Sequence, residues 1–286
     1  MIIEVISPGM LTTVQDLGRY SYGPLGVSPA GAADPVALRF GNRLVGNPEN
    51  AAALEMTLLG GSFAFPDGAV VALTGAEFDA RIPLWTPTRL DAGATLKIGG
   101  SLTGARCYLC VRGGISVPLF LGSASTHILT GLGGRRVQRG DKLLVGDAAI
   151  SDPIQLPRPT YLRKVLRLTK GPQDFPGDAL QVFCSSTYTV TEDSNRMGLR
   201  LQGPPVDAPH GGQMISEGVS LGAIQIPPGG QPIILFVDQQ TTGGYPKIAN
   251  VITADLPSVG QLRPRDQVRF EFIDARAARQ LLRDPL

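Results

Sequence analysis

Two segments carry side chains dense enough in polar groups to do chemistry. The first runs Thr12-Thr-Val-Gln-Asp-Leu-Gly-Arg19, continues through Tyr20 and Tyr22, and is followed by Gly31-Ala-Ala-Asp34. The second is Asp238-Gln-Gln-Thr-Thr-Gly-Gly-Tyr-Pro246, directly behind Pro232-Ile-Ile-Leu-Phe-Val237, the most apolar run of the chain. A buried strand that empties into amides, hydroxyls, a carboxylate and paired glycines is how a β-barrel presents binding groups at its rim. The glycines let a backbone approach a ligand closely, and side-chain amides can read a planar polar molecule. An ordinary polar loop would have the same composition, so from residue types alone both readings stand.

Other motifs are weaker. Cys107-Tyr-Leu-Cys110 has C-x-x-C spacing, but strand alternation places the two sulfurs on opposite faces, and a metal or redox site needs them to converge. Gly218-Val-Ser-Leu-Gly222 matches a nucleophile elbow, which requires a strand-to-helix turn and a later histidine. Both histidines, His127 and His210, precede Ser220, so a β-turn is the better reading. Two isolated histidines cannot build a histidine-rich metal centre. No G-x-x-x-x-G-K-[ST] phosphate loop occurs. Gly131-Leu-Gly-Gly134 before Arg135-Arg136 reads either as a hairpin turn or as an anion cradle.

The elements that must position these groups are short. Segments 62–65, 69–73, 96–98, 107–111, 143–145, 165–168, 233–237 and 268–272 are β-branched or aromatic and bounded by Gly, Pro or Asp. That density predicts a barrel or sandwich, and 36 glycines with 24 prolines among 286 residues supply its turns. Two helices are predicted. One has Asp34 as cap and Pro35 in first position, with Val36, Ala37, Phe40 and Leu44 on one face; the other covers 274–282. A third is possible over 248–252, against its β-branched content. Segments 90–98, 137–145 and 262–270 repeat one pattern of apolar residue, polar turn and alternating strand. Three prolines in Asp152-Pro-Ile-Gln-Leu-Pro-Arg-Pro159 predict an extended linker, hence two β units over 1–152 and 160–286.

With 26 basic and 24 acidic residues the net charge is +2, which provides no field for nucleic acid or an anionic membrane. The longest apolar run is too short to cross a bilayer. Three cysteines give no disulfide framework, and the start Met1-Ile-Ile-Glu4 has no export signal. A cytoplasmic protein is expected.

Several of these residues together resemble a known family. Gln15-Asp-Leu-Gly-Arg19, Gly26-Val-Ser-Pro-Ala-Gly-Ala-Ala-Asp34, Asn42-Arg-Leu-Val-Gly-Asn47 and Leu54-Glu55 look like the opening signature of the biotin-dependent carboxyltransferases. That family includes allophanate hydrolase subunit 2 and the C-type subunits of 5-oxoprolinase. Arg112-Gly-Gly-Ile115, Leu121-Gly-Ser123, Ser194-Asn-Arg-Met-Gly198 and Gly222-Ala-Ile-Gln225 follow in the same order. The match closes on Asp238-Gln-Gln-Thr-Thr-Gly-Gly-Tyr-Pro-Lys-Ile-Ala249 and Asp255-Leu-Pro257.

The resemblance implies an all-β chain of two tandem cyclophilin-like barrels with a few short helices. It implies one member of an ATP-dependent 5-oxoprolinase, a hetero-oligomer that opens 5-oxoproline to glutamate, inactive as this chain alone. The partner would be the shorter carboxyltransferase subunit, the B-type subunit of 5-oxoprolinase, similar to an inhibitor of a sporulation kinase, with a third subunit alongside. The alternatives are the carboxyltransferase part of a biotin-dependent urea carboxylase or allophanate-type system, and a regulatory partner of the kinase inhibitor. ATP would bind elsewhere in the assembly or at a subunit interface. Biotin enters only in the alternative, on another protein, because this chain has no Met-Lys-Met attachment segment.

Both chemistries develop charge on a carbonyl oxygen and need donors aimed at it. Arg19, Arg196, Gln239 and the amides around Gly243 and Gly244 suit that role; Asp16, Glu55 and Asp238 are candidate bases or orienters. Gln15, Gln225, Thr241 and Tyr245 complete the candidate substrate contacts, and the two segments are expected to meet in one cleft. Two departures stand out. Gly41 replaces an expected Ala and should weaken the first helix, and the stretch 129–139 looks short for the family.

Overall fold

The computed structural model describes residues 1–283. It is mostly β, with few helices, and divides into two compact units. One comprises 1–19 and 30–159, the other 20–29 and the described residues from 160 onward. The ten residues between Arg19 and Ala30 therefore belong with the C-terminal half.

The first unit packs two sheets face to face. One has the strand order Ile115–Ser116, Lys142–Val145, Ile2–Ser7, Ser62–Phe65, Ala94–Ser101, Phe78–Ala80. The other runs Leu11–Gln15, Ala53–Thr57, Arg106–Val111, Ala69–Gly75, Thr88–Leu90. Ile3, Val5, Phe63, Phe65, Leu96 and Ile98 from the first sheet meet Leu54, Met56, Val71, Leu73, Leu109 and Val111 from the second in one core. Period-two alternation delivers them, each strand turning one face inward.

All six residues of Arg106–Val111 are buried because this strand is covered on both sides. Cys107 and Leu109 join the inter-sheet core. Tyr108 and Cys110 face the helix Pro35–Leu44 instead, with Cys110 Sγ 3.8 Å from Leu38 O. The two cysteines are thus on opposite faces, and burial pushes the Cys107 thiol up to about 12, so it is inert near neutrality.

That helix begins as its sequence dictates: Asp34 accepts from the Ala37 N–H at 3.0 Å and Pro35 occupies the first position. Its buried face is Ala37, Leu38, Gly41, Asn42 and Leu44, so Val36 and Phe40 lie to the side of the packed stripe. The structure also corrects the reading of Gly41. A Cβ there would stand 2.5 Å from Cys110 Sγ and 2.7 Å from Thr74 Oγ1, so the glycine is what lets the helix lie against the sheet. Thr74 Oγ1 uses that proximity to donate to Ala37 O at 2.7 Å.

The second unit is built on a closed seven-stranded barrel. Its order is Val165–Lys170, Lys247–Val251, Ala223–Gln225, Ile233–Leu235, Gly198–Gln202, Tyr188–Val190, Gln267–Phe272. Parallel pairing of Val165–Lys170 with Gln267–Phe272 closes the ring. Segment 248–252, left open as a helix, lies mainly in the strand Lys247–Val251, held between two neighbours, where β-branched residues fit the pleated surface. A two-stranded ribbon, Glu217–Gly218 against Thr242–Gly243, stands apart from the ring. The helices are Ala179–Ser185, Leu256–Gln261 and Ala275–Arg283. Among the described residues no helix is long and apolar enough to cross a membrane.

Candidate functional site

The candidate residues fall into two sets, one in each unit, described separately. In the first unit the strand Leu11–Gln15 ends in Gln15, fully buried, whose amide donates to Thr13 Oγ1 and Thr126 O at 3.0 and 2.9 Å. Asp16 follows and is saturated. Oδ1 accepts from Gly18 N, Ser123 Oγ and Ser125 Oγ at 2.8, 2.6 and 2.5 Å, and Oδ2 from Ala124 N at 2.7 Å. A carboxylate engaged by four donors orients a loop, so of the two roles offered by sequence the geometry favours orienter over base. The loop it orients also holds Arg19, only 2% exposed, whose guanidinium donates to Phe120 O and Ser125 O and lies 5.8 Å from the Phe120 ring centroid.

Glu55 is equally enclosed. Its Oε2 accepts from Tyr108 OH at 2.6 Å and from Ala33 N at 2.9 Å, and its Oε1 lies 3.6 Å from Arg106 Nε. Tyr108 OH in turn accepts from Asp34 N at 2.8 Å. Burial first, then the neighbouring Glu55 charge, push the Tyr108 phenol well above its ordinary range. The set anchors the N-terminus of the helix Pro35–Leu44 to the sheet, which makes Glu55 a positioning group. Tyr108 and Arg106 were missed by sequence reading. An arginine and a tyrosine inside a strand otherwise made of Cys, Leu and Val was the available signal.

In the second unit Arg196 and Asp238 form a bidentate pair, Nε to Oδ2 at 2.8 Å and Nη2 to Oδ1 at 2.9 Å, with both side chains about 5% exposed or less. The backbones join too, Asp238 N donating to Arg196 O at 2.9 Å. Ser28 Oγ donates to Val237 O at 3.1 Å and ties segment 20–29 to the same strand end. Gln239 is buried against the turn 219–221; with its amide turned, it donates to Ser220 O at 3.1 Å and accepts from Leu221 N at 3.0 Å. Ser220 itself donates to Asn250 Oδ1 at 2.8 Å and precedes a strand, so the G-x-S-x-G match is a β-turn.

Thr241, Gly243 and Gly244 build the ribbon loop: Val219 N donates to Thr241 O at 3.0 Å and Met214 N to Gly244 O at 2.9 Å. Gln225, 1% exposed, directs its amide to Tyr245 O at 3.4 Å, while the Tyr245 side chain is 39% exposed. A Cβ on Gly243 would stand 2.6 Å from Gln225 Nε2. Gly243→Ala is therefore expected to displace the Gln225 amide, a movable side-chain end, costing less than about 1 kcal/mol of stability while lowering activity of the assembly at least about tenfold. Paired denaturant melts and turnover assays check this; equal loss of both would make the glycine a structural turn.

Sequence reading also passed over three residues here. Lys247, 6% exposed, donates through Nζ to Glu217 Oε1 and, at 3.4 Å, to Gly218 O; Gln173 Nε2 donates to the same Glu217 oxygen at 2.7 Å. A buried lysine at the head of the barrel strand Lys247–Val251 was the visible signal.

The turn 131–134 spends its amides internally, Gly131 N on His127 O and Gly134 N on Gly131 O, and Arg135 is paired bidentately with Asp141 at 2.8 and 2.7 Å. Of the two sequence readings, the structure supports the turn. A separate cleft of ≈ 530 Å³ in the first unit is bordered by Asp67, Arg89, Asp91, Arg112 and Asp147 and by none of the candidate residues. Among the described residues no three His, Cys, Asp or Glu side chains could share a metal ion.

Beside a double-sheet unit and a barrel unit stands a family match: the chain belongs to the family described as carboxyltransferase domain, subdomain A and B, which matches residues 25–272. Nearer relatives are more particular. The chain is 39% identical to the 5-oxoprolinase C subunit of Escherichia coli, over 98% of this chain and 94% of that one. It is 37% identical to the protein of the same name from Haemophilus influenzae, over 99% and 94%. Urea amidolyase of Saccharomyces cerevisiae is 35% identical over 98% of this chain, which spans only 17% of that protein. Among solved structures, the K. lactis urea amidolyase superposes with a TM-score of 0.94 at 33% identity, over 99% of this chain and 19% of that one.

Proposed function

We propose that this chain is the C-type member of an ATP-dependent 5-oxoprolinase, contributing to the opening of the 5-oxoproline lactam to glutamate. The observation that carries the reading is similarity. The 5-oxoprolinase C subunits are 39% and 37% identical over 98% and 99% of this chain, against 35% for the urea amidolyase of Saccharomyces cerevisiae. Lactam hydrolysis at neutral pH needs an activated amide, and transfer of a phosphoryl group from ATP to the carbonyl oxygen activates it. ATP binds elsewhere in the assembly in this reading, since the sequence has no phosphate loop of the Walker type.

The chain's own contribution is to hold donors rigid. Arg196 is fixed by Asp238, Gln239 by the turn at Ser220, and Gln225 beneath Gly243, an arrangement that holds the loop 238–245, with its Gly243–Gly244 backbone, in place to meet a planar amide. Both units are proposed to be cyclophilin-like barrels, the first opened into two sheets. The partners are the shorter carboxyltransferase subunit and a third subunit. The cytoplasm is the proposed compartment, where three free thiols persist.

Urea amidolyase and urea carboxylase relatives favour a second reading, carboxyl transfer from biotin borne on another protein. Co-expression with the shorter subunit is expected to yield a stable complex that consumes 5-oxoproline, not urea, once the third subunit is added. Urea- and biotin-carrier-dependent turnover would transfer the assignment to the second reading.

A further inference from the structure

Lys247, Gln173 and Glu217 form a cluster that the reading above leaves unused. Lys247 opens a barrel strand at the position opposite Gln225, and its side chain is 7% exposed. Gln173 is oriented unambiguously: its Oε1 accepts from Lys247 N at 2.9 Å, so its Nε2 must point the other way, to Glu217 Oε1 at 2.7 Å. An ammonium and a fixed amide thus clamp one carboxylate. The ammonium belongs to a barrel strand and is buried, and Gln173 sits half-buried in the loop that follows the barrel strand Val165–Lys170. The carboxylate belongs to the two-residue ribbon strand and its side chain is 41% exposed.

A purely structural buried pair would enclose both members, because a lysine taken from water requires a partner that stays with it. Here the solvent-side member rides on the smallest sheet of the molecule. The Lys247 hydrogen bond, and after it that of Gln173, hold the Glu217 carboxyl below the usual carboxylate range. The occupant is therefore ionised, as a carboxylate ligand would be.

We propose that Lys247 and Gln173 are a carboxylate-binding site, that Glu217 is its internal occupant, and that a small free carboxylate displaces Glu217 on binding. Gly243, directly opposite Glu217 in the ribbon, carries no side chain that would crowd the exchange. Naming the 5-oxoproline carboxylate as the physiological occupant rests on the reading under Proposed function; capture of a carboxylate does not.

The full chain, titrated calorimetrically with sodium acetate and with L-5-oxoproline against chloride at equal ionic strength, tests this. Removal of the competitor in Glu217→Ala is expected to tighten acetate binding at least about tenfold, roughly the worth of one charge-assisted hydrogen bond. It should also make the melting temperature rise with acetate. Adding Lys247→Met to that variant should abolish binding, and adding Gln173→Leu should weaken it, so the conclusion does not depend on the lysine variant folding. Absence of carboxylate-dependent heat in Glu217→Ala, or binding that survives both additions, would overturn the site. Acetate bound without 5-oxoproline would keep the clamp and overturn its assignment to the lactam; glutamate release by the assembly is read separately.

Discussion

Asp238→Ala is expected to destabilise the second unit by about 3–5 kcal/mol, the cost of leaving a buried charge without its partner. Arg196 is 5% exposed and its guanidinium meets Asp238 through two parallel hydrogen bonds, so truncation removes the counter-charge of a buried cation. The same pair need not be a net source of stability, since desolvating both ions offsets most of their attraction. The double variant Arg196→Met, Asp238→Leu should therefore recover most of the lost stability in urea unfolding while the reconstituted assembly stays inactive. Wild-type stability in Asp238→Ala would mean that the pair is not buried in solution. Activity in the double variant would remove Arg196 and Asp238 from the site.

The second large effect is expected at Glu55. Glu55→Ala removes the acceptor of Ala33 N and Tyr108 OH and leaves Arg106 facing a cavity, so a loss of about 3 kcal/mol or more is expected. Tyr108→Phe should cost less, about 1–3 kcal/mol, because it removes the acceptor of the Asp34 N–H. Hydrogen exchange should localise the damage. Amides 33–38 at the start of the helix should lose protection in both variants while the barrel of the second unit keeps its own. Uniform loss across both units would refute an anchoring role.

Much of this architecture was legible in residue order. Short β-branched or aromatic runs bounded by Gly, Pro or Asp become strands at Ser62–Phe65, Ala69–Gly75 and Gln267–Phe272, and Asp34-Pro35 starts a helix where capping chemistry requires. What could not be read was set by tertiary contact. Gly41 looks like a weak point in a helix until Cys110 and Thr74 are seen pressed against it. Segment 248–252 has no decisive period because its strand is buried on both faces, which erases alternation. The allocation of 20–29 to the C-terminal unit depends on contacts such as Ser28 with Val237, more than 200 positions away.

The candidate site was legible as location and not as role. Asp16 and Glu55 carry the side chains a base would need, yet their donors at Ser123, Ser125, Ala33 and Tyr108 come from elements far along the chain. Hydrogen-bond saturation, invisible in a one-dimensional pattern, turns a possible base into a positioning group. Lys247 was hidden for the converse reason: its partner Glu217 lies thirty positions earlier in a segment with no motif of its own.

The most direct measurement is glutamate release from 5-oxoproline by the reconstituted three-subunit assembly, with ATP and this chain each present or omitted. The account predicts glutamate formed in step with ATP hydrolysis, lost when either is left out, and restored by adding back this chain but not its Asp238→Ala variant. Undiminished release without this chain would contradict it.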